Sequence, residues 1–198
     1  MADRGLLFGG YIVYLKKMHR LGTYKVLVPP YLFYGTVILI CFYWSYSVCP
    51  LWLILTCTAG GWVVWTLVEY LLHRFAFHEE PGRPLAEKHD IHWIHHRQPQ
   101  DPTHIVTSLR LTIQLEVLFF GLFWFIGGGH PAVGAVYGGF GMGYLFYETI
   151  HLLIHVHPMP PLRWLRGLWR HHYWHHYRTP DRYYGVTSRW WDYLFGTL

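Results

Sequence analysis

No charged residue occurs between Lys25 and Glu69, a run of 43 residues from Val26 to Val68. Nothing else in the sequence constrains the fold so tightly. A helix crossing a bilayer needs about 20 consecutive apolar residues, whereas a buried helix of a soluble core manages with about 10–14. Two spans fit the run, Tyr31 to Val48 and Leu51 to Leu72, with Pro50 at the turn between them. A second uncharged run of 31 residues, Val117 to Tyr147, is interrupted by Gly127-Gly128-Gly129-His130-Pro131, a strong turn signal. With flanking residues it accommodates two more spans, Leu111 to Ile126 and Ala132 to His155. Neither run reads as a cleaved signal peptide, because the first begins too late and continues too long.

Charge orients these spans. All 16 Lys and Arg residues fall in the N-terminal arm, in residues 73–110 or in residues 156–198, and neither short turn carries one. The positive-inside rule then puts both termini and the long middle loop in the cytoplasm. The expectation is an all-α integral membrane protein of four transmembrane helices under a cytoplasmic helical cap. It forms one domain over residues 1–198: an interfacial arm (1–30), a first hairpin (31–72), a His-rich region (73–110), a second hairpin (111–155) and a His-rich tail (156–198). The N-terminal arm, with Tyr11-Ile-Val-Tyr-Leu-Lys16-Lys17, suits either the membrane surface or a solvated basic lead-in. Only 14% of residues are charged and 53% are hydrophobic, against about 25% charged in an ordinary soluble domain. Disorder, a coiled coil and a soluble domain are excluded on that ground. The net charge of +5 comes without basic runs, so it fits a membrane surface and not a nucleic acid. Cys41, Cys49 and Cys57 all lie in the first apolar run, as small buried hydrophobes.

Histidine is as abundant as Lys and Arg together, 16 of each. Most of these histidines fall in four clusters on the expected cytoplasmic side: His73 and His78; His89, His92, His95 and His96; His151, His155 and His157 after Glu148; and His171, His172, His175 and His176. His104 stands apart. Residues three and four apart share a helix face with Cβ atoms about 5–6 Å apart. That spacing joins His92 with His95 and His96, His151 with His155, and His172 with His175 and His176. The gap of five between His73 and His78 suits a helix end or an irregular turn. One such pair alone carries little weight, but four on one membrane face point to metal. The histidines outnumber the ligands of one ion, so two ions fit, and imidazole suits zinc, copper, iron and nickel alike.

His73-Arg-Phe-Ala-Phe-His78, His92-Trp-Ile-His95-His96 with Pro99-Gln100-Asp101, His151-Leu-Leu-Ile-His155 and His172-Tyr-Trp-His175-His176 together resemble the signature of the fatty acid hydroxylase/sterol desaturase superfamily. The ending Tyr184-Gly-Val-Thr-Ser-Arg-Trp-Trp-Asp192-Tyr-Leu-Phe-Gly-Thr197 resembles that of its fatty acid 2-hydroxylase branch. The resemblance covers roughly Glu69 to Leu198. It implies that His73, His78, His92, His95, His96, His151, His155, His172, His175 and His176 are the catalytic metal ligands. It divides them as His73, His78, His92, His96 and His175 on one ion, and His95, His151, His155, His172 and His176 on the other. The ions would be two Fe, with Zn an alternative in isolated protein, and O2 the co-substrate. Glu148 stands where the branch has Asp; it is expected to hydrogen-bond a ligand imidazole, with direct ligation as the alternative. His89, His157 and His171 are expected just outside the ligand set.

The implied reaction inserts a hydroxyl group into a lipid acyl chain at the carbon next to the carboxyl group. Long members carry a haem-binding domain with an HPGG motif; this sequence contains no such motif, which implies a separate electron donor such as cytochrome b5 or a ferredoxin. The membrane would be the endoplasmic reticulum in a eukaryote or the inner membrane in a bacterium. Tyr147, Tyr173, Trp174 and Tyr177 are candidates to line the acyl path or to form an interfacial belt. The stretch Gly138-Gly-Phe-Gly-Met-Gly143 would leave room for an acyl tail or let helices pack closely. Rivals within the superfamily are a sterol desaturase, a sterol methyl oxidase and a carotenoid hydroxylase. A membrane metal carrier or haem cytochrome would need ligands inside the spans, where this sequence has essentially none.

Overall fold

The first apolar run folds into two long helices, α1 (Thr23–Tyr46) and α2 (Leu51–Leu71), joined by a turn in which the Cys49 N–H donates to the Ser45 carbonyl at 2.8 Å. The computed structural model describes residues 23–78 and 91–198; the arm around Lys16 and Lys17, and His89, lie outside them. α1 begins ahead of the expected Tyr31 and carries Pro29 and Pro30 inside it. Pro50 sits immediately before α2, where its fixed φ suits a helix start. Hydroxyls on these apolar helices are satisfied internally. Thr36, Thr56 and Thr58 each donate to the carbonyl one turn back at 2.8 Å, as lipid-facing polar groups must.

α2 runs on into a π-helical turn, Leu72–Phe77. After it come α3 (Ile91–Arg97), α4 (Pro102–Ile105), α5 (Leu109–Ile126), α6 (Ala132–Val156), α7 (Arg163–Tyr177) and α8 (Trp190–Leu194). Local sequence explains the starts. Asp101 caps α4 by accepting the Thr103 N–H at 2.9 Å with Pro102 following it, and Ser108 caps α5. Between α5 and α6 the glycine turn takes φ +59° at Gly128 and +69° at Gly129, a region that costs glycine nothing.

The centre of the bundle is α6, which packs against α2 along most of its length and against α1 beside it. Glycines set that approach. A Cβ on Gly61 of α2 would stand 1.8 Å from the Val136 carbonyl oxygen, and one on Gly139 of α6 would stand 2.0 Å from that of Thr58. The glycine stretch therefore serves close backbone contact, as small residues do between membrane helices. Tyr34, Ile38, Cys41, Trp65, Tyr137, Phe140 and Tyr144 fill the core around it.

Among the described residues, three segments are long and apolar enough to cross a membrane: Val28–Tyr46, Leu51–Phe77 and Pro102–Ile126. The fourth expected span, α6, differs in composition. At 25 residues it is about 37 Å long at the standard rise. It is less apolar, because glycines, tyrosines, Glu148 and two histidines replace the aliphatic residues that face lipid elsewhere. Most of its surface is buried by its neighbours.

Candidate metal centre

The histidine clusters converge at one end of the bundle, and local geometry explains how each arrives. In the π-helical turn the His78 N–H donates to the His73 carbonyl at 3.2 Å. A five-residue hydrogen-bonded loop puts positions i and i+5 on one face, and the gap of five seen in the sequence is thereby accounted for. On α3, His92 and His96 are one turn apart and face one way while His95 faces another. α7 repeats the device, with His172 and His176 on one side and His175 on the other. His151 and His155 end α6 one turn apart.

Two groups of five result. His73, His78, His92, His96 and His175 form the first; His95, His151, His155, His172 and His176 form the second. The candidate donor atoms of each group all lie within 4.8 Å of one another. These memberships match the division implied by the resemblance. In the first group Nε2 of His92 stands 3.0 Å from His73, 2.9 Å from His78 and 3.1 Å from His96, and Nε2 of His175 stands 3.0 Å from His78 and 3.1 Å from His96. In the second, His95 lies 3.1 Å from both His151 and His176, and His155 lies 2.9 Å from His172.

These contacts are not a hydrogen-bond network. A neutral imidazole has one N–H, and Nε2 of His92 faces three other ring nitrogens. In His73 and His175 the N–H is on the far side of the ring, where Nδ1 donates to the Tyr184 carbonyl and, at 2.7 Å, to the Arg182 carbonyl. Their Nε2 atoms therefore bring lone pairs inward. Donors about 2.1 Å from one ion and at right angles around it stand about 3.0 Å apart, the spacing found here. Electrostatics agree. Burial pushes His95 and His96 down to about 3 and His78 to about 4, with neighbouring imidazoles adding to the effect at His95 and His96. His92, His172 and His175 are held well below their ordinary range by the same two causes, burial first. All are neutral at physiological pH, the form that ligates. Both groups fit a divalent transition metal. Among the described residues each group is imidazole alone, a set that does not by itself choose between iron, zinc, copper and nickel.

A cavity of about 260 Å³ opens beside both groups, reaching His92 of one and His151 of the other. Trp65, Leu72, Leu111, Leu115 and Tyr147 give it apolar walls, and Thr103 and His104 lie on its border. Of the four aromatic candidates, Tyr147 lines this cavity. Tyr173 and Tyr177 are exposed and lean on each other at 4.5 Å, and Trp174 packs on Tyr183.

Glu148 requires a correction. Its buried carboxylate accepts the Thr107 N–H at 3.2 Å and belongs to neither group of five. It holds the extended link between α4 and α5, whose N–H has no helical acceptor, and not an imidazole. His171 is buried, and its Nε2 donates to Asp192 at 2.9 Å. His157 lies just past the end of α6.

Sequence reasoning passed over Glu69 and Asp192. Both are buried beneath the histidines and accept hydrogen bonds from the segment that follows α7. Glu69 had a signal of its own: it is the charge that ends the uncharged run, and an ionisable group at such a place marks function.

Known proteins are similar to this chain. The family model described as fatty acid hydroxylase matches residues 58–197. The chain is 37% identical over 143 residues to the dihydroceramide fatty acyl 2-hydroxylase FAH2 of Arabidopsis thaliana, an alignment covering 71% of this chain and 59% of that one. It is 35% identical over 142 residues to the ceramide very long chain fatty acid hydroxylase SCS7 of Saccharomyces cerevisiae, covering 69% and 36%. A solved structure of full-length scs7p, in which only the hydroxylase domain is visible, superposes with a TM-score of 0.78 at 29% identity, over 85% of this chain and 64% of that one. The chain thus spans little more than half the length of the plant relative and about a third of the yeast one.

Proposed function

The chain belongs to the fatty acid hydroxylase family, and we propose from that membership and the geometry of its site that it is a membrane di-iron hydroxylase acting on a lipid acyl chain. The position hydroxylated is the carbon next to the carbonyl group, and the acyl chain is that of a ceramide-type lipid, the substrates named for the plant and yeast relatives. The observation that carries the reading is the cavity, one apolar space bordered by His92 of one group and His151 of the other.

His73, His78, His92, His96 and His175 would hold one iron, and His95, His151, His155, His172 and His176 the second. Ions held there would supply the oxidation of an unactivated C–H bond, with O2 as co-substrate and electrons from a separate donor such as cytochrome b5 or a ferredoxin. The protein's share is placement. Trp65, Leu111 and Leu115 exclude water and hold the methylene chain. Tyr147, which both borders the cavity and stacks on His151 at 5.4 Å, fixes how closely the chain approaches the centre. Burial keeps the ligand imidazoles neutral and in place.

We read α6 as a fourth span, long enough to cross and screened from lipid by its neighbours. The histidine cap and both termini are then cytoplasmic, in the endoplasmic reticulum of a eukaryote or the inner membrane of a bacterium. The charge-free turns at Ser45–Pro50 and Gly127–Ala132 support this orientation.

Expression in host membranes followed by lipid mass spectrometry tests the reading. The expected result is a gain of one oxygen on acyl chains that disappears in His92→Ala and His175→Ala. Unchanged acyl chains with altered sterols or carotenoids would move the chain to a neighbouring activity of the superfamily. No lipid change from a metal-loaded protein would contradict an enzymatic role.

A further inference from the structure

Two buried carboxylates, Glu69 and Asp192, converge on one short segment of chain. Asp192 Oδ1 accepts the Tyr184 N–H at 2.8 Å and the Thr197 hydroxyl at 2.7 Å; its Oδ2 accepts the Gly185 N–H at 2.8 Å and His171 Nε2–H at 2.9 Å. Glu69, from α2, accepts the N–H groups of Val186 and Thr187 at 2.7 and 2.9 Å and the Thr187 hydroxyl. Gly185 leaves no room for a side chain, since a Cβ would stand 1.9 Å from the Ser188 carbonyl oxygen. Gly196, at φ +69°, turns the chain back so that the Thr197 carbonyl accepts the Tyr183 N–H at 2.8 Å. The Arg182 guanidinium closes the loop on the Leu198 carbonyl at 2.7 Å. Residues 182–198 are thus fastened to themselves and to α2.

What this segment presents to the centre is two carbonyl groups. That of Tyr184 accepts Nδ1–H of His73, and that of Arg182 accepts Nδ1–H of His175. Both histidines belong to the first group of five. The second group is supported differently: among the described residues, the buried Nδ1 atoms of His95, His151, His172 and His176 have no hydrogen-bond partner.

We infer that residues 182–198, held by Asp192 and Glu69, are a positioning clasp for one metal site only, so that the two sites retain their ions unequally. The inference rests on the metal-centre reading above. A carbonyl acceptor on Nδ1–H fixes the tautomer, leaves the Nε2 lone pair for the metal, orients the ring and raises its basicity. Among the described residues Asp192 and Glu69 make their hydrogen bonds to the segment and to His171, not to either of these rings. They act by holding the backbone whose carbonyls accept from the rings.

The test uses the full chain, purified in detergent and loaded with zinc, challenged with a chelator while metal release is followed. The expected result is two zinc ions per chain leaving in two phases. Asp192→Asn should quicken one phase by about 10–100-fold, the usual cost of a lost outer-shell partner, and leave the other unchanged. The quickened phase should be the one missing in His78→Ala, and the unchanged phase the one missing in His155→Ala. Thr197→Val removes one hydroxyl donated to Asp192 and should move the same phase less, without endangering the fold. Both phases quickening together, or neither responding, would overturn the inference and leave the metal centre standing. A wild-type chain that retains no zinc would overturn both.

Discussion

His96 and His176 stack their imidazole rings at a centroid distance of 4.1 Å, and each ring belongs to a different group of five. The two proposed metal sites therefore share a wall without sharing a ligand. Removing one ligand should empty its own site first. His78→Ala and His155→Ala should each leave about one metal ion per chain, measured by elemental analysis, and each should drop acyl hydroxylation to background because both groups of histidines border the cavity. Full activity in either variant would contradict a centre that works as a pair.

Gly60 and Gly61 are neighbours on α2 with opposite surroundings. A Cβ at Gly60 meets nothing within 4 Å, whereas one at Gly61 would strike the Val136 carbonyl of α6. Gly61→Leu should lower stability in detergent by at least about 1–3 kcal/mol, the range for overpacking a close contact. Gly60→Leu should change it little. Thermal unfolding of the two variants checks this, and equal midpoints would show that the α2–α6 approach does not depend on glycine.

The apolar runs, the turn glycines and the histidine spacings were legible because each is local: a period, a run length, a residue four positions on. The π-helical turn was half legible, since a gap of five excludes a regular α-helical face without naming the alternative. Glu148 was misassigned because the expectation rested on its place beside the third histidine cluster, where the branch has Asp, while its actual partner, Thr107, lies 41 residues away. The Glu69 contact with Val186 spans 117 residues, and no periodicity encodes such a pairing. What the sequence did not disclose is how fully neighbours would cover α6, expected from residue 132 to 155, because that screening comes from α1 and α2, far off in sequence.

Leu115 lines the cavity beside the two groups and belongs to neither of them. Leu115→Trp should narrow the acyl space. Turnover on long acyl chains should fall, by on the order of 10²-fold if the chain is displaced by about 1 Å, while metal content stays at the wild-type value. Loss of metal together with activity would mean that the substitution had disturbed the cap and not the acyl space.

Protonation should weaken the metal-free protein. Free imidazole titrates near 6.5, whereas burial holds His78 at about 4 and His95 and His96 at about 3 in the folded chain. Between those values the unfolded chain binds more protons than the folded one, so stability rises with pH across the window. It is fully present above about pH 6.5 and lost progressively as pH falls toward about 3. Unfolding midpoints of chelator-treated protein should therefore drop on acidification through this range. A flat profile would contradict neutral burial of the histidines.

Isotope labelling tests the central claim most directly. Membranes containing the wild-type chain, supplied with an electron donor and ¹⁸O2, should yield acyl chains carrying one ¹⁸O at the carbon next to the carbonyl, and membranes with His92→Ala or His175→Ala should yield none. Oxygen arriving from water, label at another carbon, or equal labelling in the histidine variants would contradict an O2-dependent centre built from these two groups of histidines.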